Sequence, residues 1–344
     1  MRCVLLEFWY PLAFSTAVRD RPTRVDALGR RLVLWRARSG SVSALSDVCV
    51  HRGGSLSGGR IVDGTVTCPY HGWAYRADGT CARIPAHPGR PVPPRARVDA
   101  YPVRERYGIV WGFLGRTPED GDRPPLPEWP EAEETGWRRT QGTFRWSAHY
   151  TRVVEGGLDF SHAPFVHASS FGAGLDPAVA DFAVTTTPWS GAAHDDDLGG
   201  LSWHLPSSTR TDLRLGRRRH VILQAHLPLD ETATLTHWIV LRDYLTSPLL
   251  DGAVRWANER VLREDRRVVE DQRPELLPYD LSEELHVRSD GLQLSYRRRR
   301  RELIADGWPT MGSPERATAP AVLPSPGRSE PATARTWVHR ADTP

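Results

Sequence analysis

From residue 8 to about 115 the apolar positions fall in short runs cut by Gly, Asp or Pro: RLVLWRA, SVSALSDV, GTVTCPY, GWAYRADGT and YGIVWGFLG. Short β-branched and aromatic runs bounded by turn residues predict strands, and this succession of them predicts a compact all-β unit. The next stretch, RTPEDGDRPPLPEWPEAEET, is proline-rich and acidic and predicts an exposed connector. From Trp137 the pattern is mixed. It predicts a helix near 148–162, strands in RRRHVILQAHLPL and TATLTHWIVLRDYL, a strong helical period over about 250–273, and a last helix in LQLSYRRRRRELIADG. Beyond Gly312, Pro, Ala, Ser and Thr dominate and little is left to bury, which predicts disorder. The resulting division is an all-β unit over 1–120, a connector over 121–136, an α+β unit over 137–311 and a disordered tail over 312–344.

Composition narrows the function classes. A formal net charge of +3 on 344 residues gives no reason to expect a nucleic-acid partner. The run Arg297 to Arg301 reads as the solvated face of the last helix. All 45 basic residues are arginine, which reflects coding bias more than a function. The start, MRCVLLEFWYPLAF, holds Glu7 and Pro11 and lacks a basic leader and small-residue cleavage site, so it is not a signal peptide. No run approaches the roughly 20 apolar residues of a membrane span. Four cysteines are too few for a disulfide scaffold and point to a reducing, cytoplasmic setting. Cys3 and Cys81 read as packed strand residues.

The other two cysteines carry chemistry. The stretch CVHRGGSLSGGRIVDGTVTCPYHGW places Cys49-x-His51 before Cys68-x-x-His71, one thiolate and one imidazole per loop. A zinc finger usually pairs like with like. One of each suits two irons held between two loops, both cysteines on one and both histidines on the other. Gly53, Gly58, Gly59 and Gly72 would let the loops approach closely. With CPYHGWAYRADGTCARIP following, this stretch resembles the Rieske [2Fe–2S] motif of the Rieske non-haem iron oxygenases. Neutral imidazoles in place of two thiolates raise such a cluster to roughly −150 to +300 mV, against about −400 mV for an all-cysteine plant-type ferredoxin.

A second constellation lies in EGGLDFSHAPFVH, which holds Glu155, Asp159, His162 and His167. At about 100° per residue the first three share a helical face, but His167 falls about 140° from His162. Pro164 is expected to end or kink the helix and let His167 swing back. Two histidines and a carboxylate on one side of iron(II) leave positions open for oxygen chemistry. The carboxylate comes from VLREDRRVVEDQRP, where Glu264, Asp265 and Asp271 compete. The resemblance extends here: it implies Asp265 as third ligand to a mononuclear iron(II), and Asp159 as the bridge from His162 to His71 of a neighbouring chain. Glu155 has a position one turn before Asp159, and it reads either as an orienting residue or as an exposed helix acid. Phe165, Phe171 and Trp203 read as core or pocket wall, and His226 and His237 as sheet residues.

The resemblance covers most of residues 8–306. It implies an N-terminal Rieske domain and a helix-grip-like catalytic domain with an antiparallel sheet. The implied function is a terminal oxygenase component taking NAD(P)H-derived electrons from a separate reductase or ferredoxin, with O2 as co-substrate, to hydroxylate or oxidatively demethylate a small organic molecule. The chain's length and its EDxxVVExQ stretch resemble the α-only monooxygenase and demethylase branch. A bridge across subunits implies a head-to-tail homotrimer. Two other classes compete: a Rieske electron carrier, which leaves the second constellation unexplained, and a zinc-stabilised binding module, which needs no reductant.

Overall fold

The computed structural model describes residues 4–179, 182–195, 199–311 and Ser325. All but one of the tail residues 312–344 lie outside the described residues, as does Cys3. Ser325 itself is buried, and its hydroxyl donates to Asp99 at 3.0 Å.

The first unit is all-β. Three small antiparallel sheets account for it. Phe8–Phe14 and Ile109–Leu114 pair in one, the latter also with Val103–Arg106. Thr23–Ala27, Arg30–Arg36, Val42–Ser46 and Ala100–Tyr101 form a second, and Arg60–Val62, Thr65–Thr67, Ala74–Tyr75 and Cys81–Arg83 a third. The second unit holds one seven-stranded antiparallel sheet. Its order runs Arg138–Trp146, Thr234–Arg242, Arg218–Pro228, Ser208–Leu215, Gly199–His204, Ser190–Asp195 and Val184–Thr186. Among the described residues four α-helices accompany it: α1 Tyr150–Gly156, α2 Ala163–Val166, α3 Asp251–Val269 and α4 Gly291–Ala305.

Alternation along the central strands explains how the two units join. Val221, Leu223 and Ala225 share one face with Ile239 and Leu241, and this face packs on Trp9, Phe14, Ile109, Trp111 and Phe113 of the first unit. Phe8–Phe14 and Ile109–Leu114 are buried throughout because both of their faces are covered. Ile222, Trp238 and Val240 point the other way and pack on Val153 of α1 and Leu262 and Val269 of α3. The sheet is thus a wall between the first unit and the helices. Val4–Leu5 pairs with Thr310–Met311 at the far end of the described chain.

The connector is only partly exposed: its acidic stretches 119–122 and 133–136 face solvent, but its middle does not. Leu126 and Trp129 are buried against Trp111 and Tyr107, and the Tyr107 hydroxyl accepts from the Trp129 amide at 2.9 Å. Glu131 is buried as well, paired with Arg210 and, at 2.9 Å, with Arg219. Proline-rich, acidic composition suggested solvent, but the one tryptophan and one leucine among those prolines fill the seam between the sheets.

The arginine run is likewise only partly solvated. Arg298 is exposed, whereas Arg297 and Arg300 are buried. Arg297 forms a forked pair with Glu155, 2.8 Å at one contact, and reaches Glu284 at 2.6 Å. Arg300 donates to the Tyr150 hydroxyl at 2.9 Å. A helix presents every third or fourth residue to the same side, so five consecutive arginines cannot all face water when one side of α4 is covered.

Candidate metal centres

The helix expected over 148–162 stops at Gly156, well before Pro164, which belongs to a separate short helix. His149 caps α1 by accepting from the Thr151 amide. Gly156 and Gly157 end α1, since paired glycines cost helical stability and allow a tight exit. The chain then turns through Leu158–Ser161 and starts α2, with His162 as its N-cap and Pro164 in its first turn, where a missing N–H costs nothing. His167 is the C-terminal cap of the same short helix. The two histidines therefore flank one helical turn.

This local geometry brings the ring edges together. His162 Nε2 lies 3.2 Å from His167 Nε2, and Asp265 Oδ1, from α3, lies 3.5 Å from the first and 3.0 Å from the second. His162 Nδ1 donates to the Asp159 carbonyl at 3.1 Å, and His167 Nδ1 donates to Glu264 Oε2 at 2.9 Å. Both Nε2 atoms thus turn lone pairs toward each other and toward a carboxylate. Such a set repels itself unless a cation sits among it. Bonds of about 2.0–2.2 Å at roughly right angles would separate ligand atoms by about 3 Å, so the donor set fits a two-histidine, one-carboxylate metal site.

The three candidate acids are now distinguished. Asp265 faces both Nε2 atoms. Glu264 takes the opposite edge of the His167 ring and also accepts from Ser169 and Ser170 at 2.9 and 2.6 Å. Asp271 lies beyond the end of α3, where its amide bonds to the Val268 carbonyl. Burial raises the Asp265 carboxyl's pKa, but the His162 and His167 rings beside it outweigh burial and hold the group below its ordinary value. Burial likewise opposes ionisation of Glu264, and the hydrogen bonds from Ser170, His167 and Ser169 bring it down to about 2. Burial lowers the His167 pKa, while Asp265 and Glu264 raise it to a net upward shift.

Asp159 sits at the edge of this site. Its Oδ1 accepts from the Ser161 amide and hydroxyl, both at 2.7 Å, while Oδ2 lies 3.8 Å from His162 Nδ1. Glu155 does not approach the metal residues: it is held by Arg152 and Arg297. Phe165 and Phe171, expected as core or pocket wall, are exposed, although the Phe171 ring stacks on His167 at 4.7 Å. Trp203 is core and donates to Ser295 at 2.7 Å. His226 is fully buried between Thr236 and Thr209, and His237 is buried against Phe14.

In the first unit the two motif loops fold alike. The Gly53 amide donates to the Cys49 carbonyl and the Gly72 amide to the Cys68 carbonyl, at 2.9 and 3.0 Å, and both glycines hold positive φ, 69° and 72°. Cys49 and Cys68 are buried, whereas His51 and His71 are exposed with ring centroids 4.4 Å apart. Thiols inside and imidazoles outside suit a cluster whose two irons take unlike ligands. A side chain at Gly54 would put its Cβ 3.0 Å from Cys68 Sγ, a tight contact that glycine avoids where the first loop closes over the second cysteine. Burial pushes the Cys49 thiol up, partly offset by the Tyr75 hydroxyl 3.1 Å from its sulfur; a bound metal ion would draw off that proton.

Sequence reasoning missed Tyr75, Trp73, Gly54 and Asp47. Trp73 stacks on His51 at 4.7 Å. Asp47 is fully buried, and accepts from Ser55 Oγ at 2.6 Å and Ser57 Oγ at 2.9 Å, bracing the first loop. The only signal was their closeness to the motif.

Comparison with known proteins agrees with this architecture. Residues 8–102 match the Rieske [2Fe-2S] domain family, and residues 146–196 and 181–306 match the vanillate O-demethylase oxygenase C-terminal domain family. The chain is 29% identical over 325 residues to methylxanthine N1-demethylase NdmA of Pseudomonas putida, spanning 87% of this chain and 89% of that one. It is 27% identical over 330 residues to methylxanthine N3-demethylase NdmB of the same organism, with the same shares covered. The structure of P. putida CBB5 NdmA superposes with a TM-score of 0.78 at 26% identity, over 88% of this chain and 91% of that one. Apo dicamba monooxygenase shares the fold, with a TM-score of 0.73 at 19% identity, over 89% of this chain and 98% of that one.

The chain belongs to the Rieske non-haem iron oxygenases. It is a terminal oxygenase component that depends on a [2Fe–2S] cluster, mononuclear iron(II), O2 and NAD(P)H-derived electrons delivered by a reductase or ferredoxin, and it oxidises a small molecule by hydroxylation or demethylation. No described helix is long and apolar enough to cross a membrane.

Proposed function

We propose that Cys49, His51, Cys68 and His71 hold the cluster, that His162, His167 and Asp265 hold the iron, and that the reaction is oxidative removal of a methyl group from a small N- or O-methylated molecule. When bound, the cluster supplies single electrons and the iron supplies dioxygen activation. The chain's own residues do the rest. The carbonyl of Asp159 and the carboxylate of Glu264 hold the two imidazoles with Nε2 turned inward. Asp265 adds the negative charge that favours a divalent cation. The observation that carries this reading is the approach of His162, His167 and Asp265 donor atoms to within 4.8 Å of one another. Demethylation is supported by the N-demethylase relatives and the O-demethylase domain match.

Asp159 is proposed to connect His162 with His71 of a neighbouring copy, as a hydrogen-bonded route for the electron. Support comes from the exposed His71 ring and from Asp159 Oδ2, which makes no hydrogen bond among the described residues. Such a contact joins unlike surfaces and closes as a ring, here a head-to-tail homotrimer. Division into a Rieske domain over 1–120 and a catalytic domain over 137–311, and residence in the cytoplasm, belong to the same reading; the latter is supported by Cys81, which is buried and in no disulfide among the described residues.

The test is turnover with a surrogate reductase and a panel of N-methyl and O-methyl heteroaromatic and aromatic compounds. Formaldehyde formed in step with the demethylated product is expected. A hydroxylated product that keeps its methyl group, with no formaldehyde from any member, would contradict demethylation and leave hydroxylation as the reaction.

A further inference from the structure

Two consecutive acids on α3 serve opposite edges of one imidazole. Asp265 Oδ1 lies 3.0 Å from His167 Nε2, while Glu264 Oε2 accepts from Nδ1 of the same ring at 2.9 Å. The ring stands between them, so Glu264 is not available to an ion held on the Nε2 side. We propose that Glu264 is a positioning residue for the iron: through His167 it sets how strongly the site holds the metal, without itself being a ligand.

This rests on the assignment of His162, His167 and Asp265 as the iron's ligands, and it separates the two histidines in kind. His162 Nδ1 donates to a neutral carbonyl, that of Asp159, at 3.1 Å. His167 Nδ1 donates to a carboxylate. A carboxylate partner draws the Nδ1 proton toward itself and leaves more electron density at Nε2, making that imidazole the stronger donor. His167 is thereby the anchoring ligand, and His162 the more weakly held one, on the side of Asp159.

Glu264 is itself immobilised. It is 8% exposed, and both of its oxygens are occupied. Ser170 Oγ donates to Oε2 at 2.6 Å, and Ser169 Oγ donates to Oε1 at 2.9 Å. Arg260, one turn earlier on α3, donates to Oε1 at 3.3 Å and also binds the Ser169 carbonyl. Four donors thus converge on one carboxylate, and two of them, Ser169 and Ser170, clamp the segment after His167 to α3. A ring held from behind in this way is oriented before any metal arrives, so less ordering remains to be done on binding.

The test uses full-length protein with its cluster assembled and the mononuclear site emptied by a chelator, titrated anaerobically with cobalt(II) alone. Affinity is read by competition with a chromophoric chelator, the coordination sphere by the cobalt signal at low temperature, and folding by the thermal transition. Glu264→Gln is expected to weaken cobalt binding by roughly 10- to 100-fold and to change the cobalt signal, with cluster absorbance unaltered. Equal affinity and an unchanged signal in Glu264→Gln would overturn the proposal. If Glu264→Gln fails to fold, the double variant Ser169→Ala/Ser170→Ala decides: severalfold weaker binding supports the clamp, and unchanged binding overturns it. Absence of any cobalt site in the unsubstituted protein would instead refute the ligand assignment on which the inference stands.

Discussion

Asp265 on α3 and His167 at the end of α2 meet at 3.0 Å between Oδ1 and Nε2, a contact made by packing a long helix against a single helical turn. Nothing local to either residue creates it. Loss of the carboxylate removes the only anionic member of the triad, so Asp265→Ala is expected to abolish turnover while cluster absorbance persists. Product formation at the unsubstituted rate would remove Asp265 from the ligand set.

Asp159 offers a different kind of test, because it touches His162 only from the Nδ1 side. Asp159→Asn is expected to leave the cluster intact and the iron site occupied, and to slow electron transfer between them by orders of magnitude. Rapid-mixing spectroscopy of the reduced protein with O2 and substrate reports this directly. Cluster oxidation at the unsubstituted rate would show that the electron does not pass this carboxylate.

Arg297 sits between Glu155 and Glu284 with its side chain buried. Removing one member of a buried ionic network strands the others, at a cost of about 3–5 kcal/mol. Arg297→Ala should therefore lower the thermal midpoint markedly, whereas Arg298→Ala, one position along on the exposed side of α4, should leave it nearly unchanged. Equal effects from the two substitutions would mean that the network contributes little.

Acid sensitivity follows from five histidines that burial keeps uncharged. His149 and His226 are pushed down to about 3, and His204, His220 and His237 to about 4, each chiefly by desolvation. Their folded values lie below the unfolded value of about 6.5. The unfolded chain therefore takes up protons first as pH falls, and the stability present above about pH 6.5 is lost progressively toward pH 4. Each such histidine removes up to about 1.4 kcal/mol per pH unit in that window. Denaturant midpoints measured at pH 7.5, 6.5 and 5.5 should fall steadily; a flat profile would contradict neutral burial.

What the sequence disclosed depends on how local the cause is. Cys49, His51, Cys68 and His71 are legible as a proposed ligand set because both loops close on their own glycines and hold these residues within a few positions of one another. His162 and His167 are legible for the same reason, although the helix expected over 148–162 ends at Gly156 and Gly157 rather than at Pro164. Asp265 was separable from Glu264 and Asp271 only by resemblance. Consecutive helix positions differ by about 100°, and which of them faces a distant ring is decided by how α3 docks. Trp129, Arg297 and Glu155 were misjudged or left open in one direction. Polar or proline-rich surroundings suggest solvent, while burial is set by partners many residues away. Long-range complementarity of that sort leaves no periodic trace in the chain.

The central claim, that this chain holds an electron-storing cluster and a separate oxygen-activating iron, is tested most directly by metal and sulfide analysis of anaerobically purified protein beside its low-temperature spectrum after reduction. Roughly three irons per chain are expected, two of them in a cluster with an anisotropic signal on reduction, and only the third removable in exchange for cobalt. A colourless protein containing zinc, with no signal after reduction, would contradict the account.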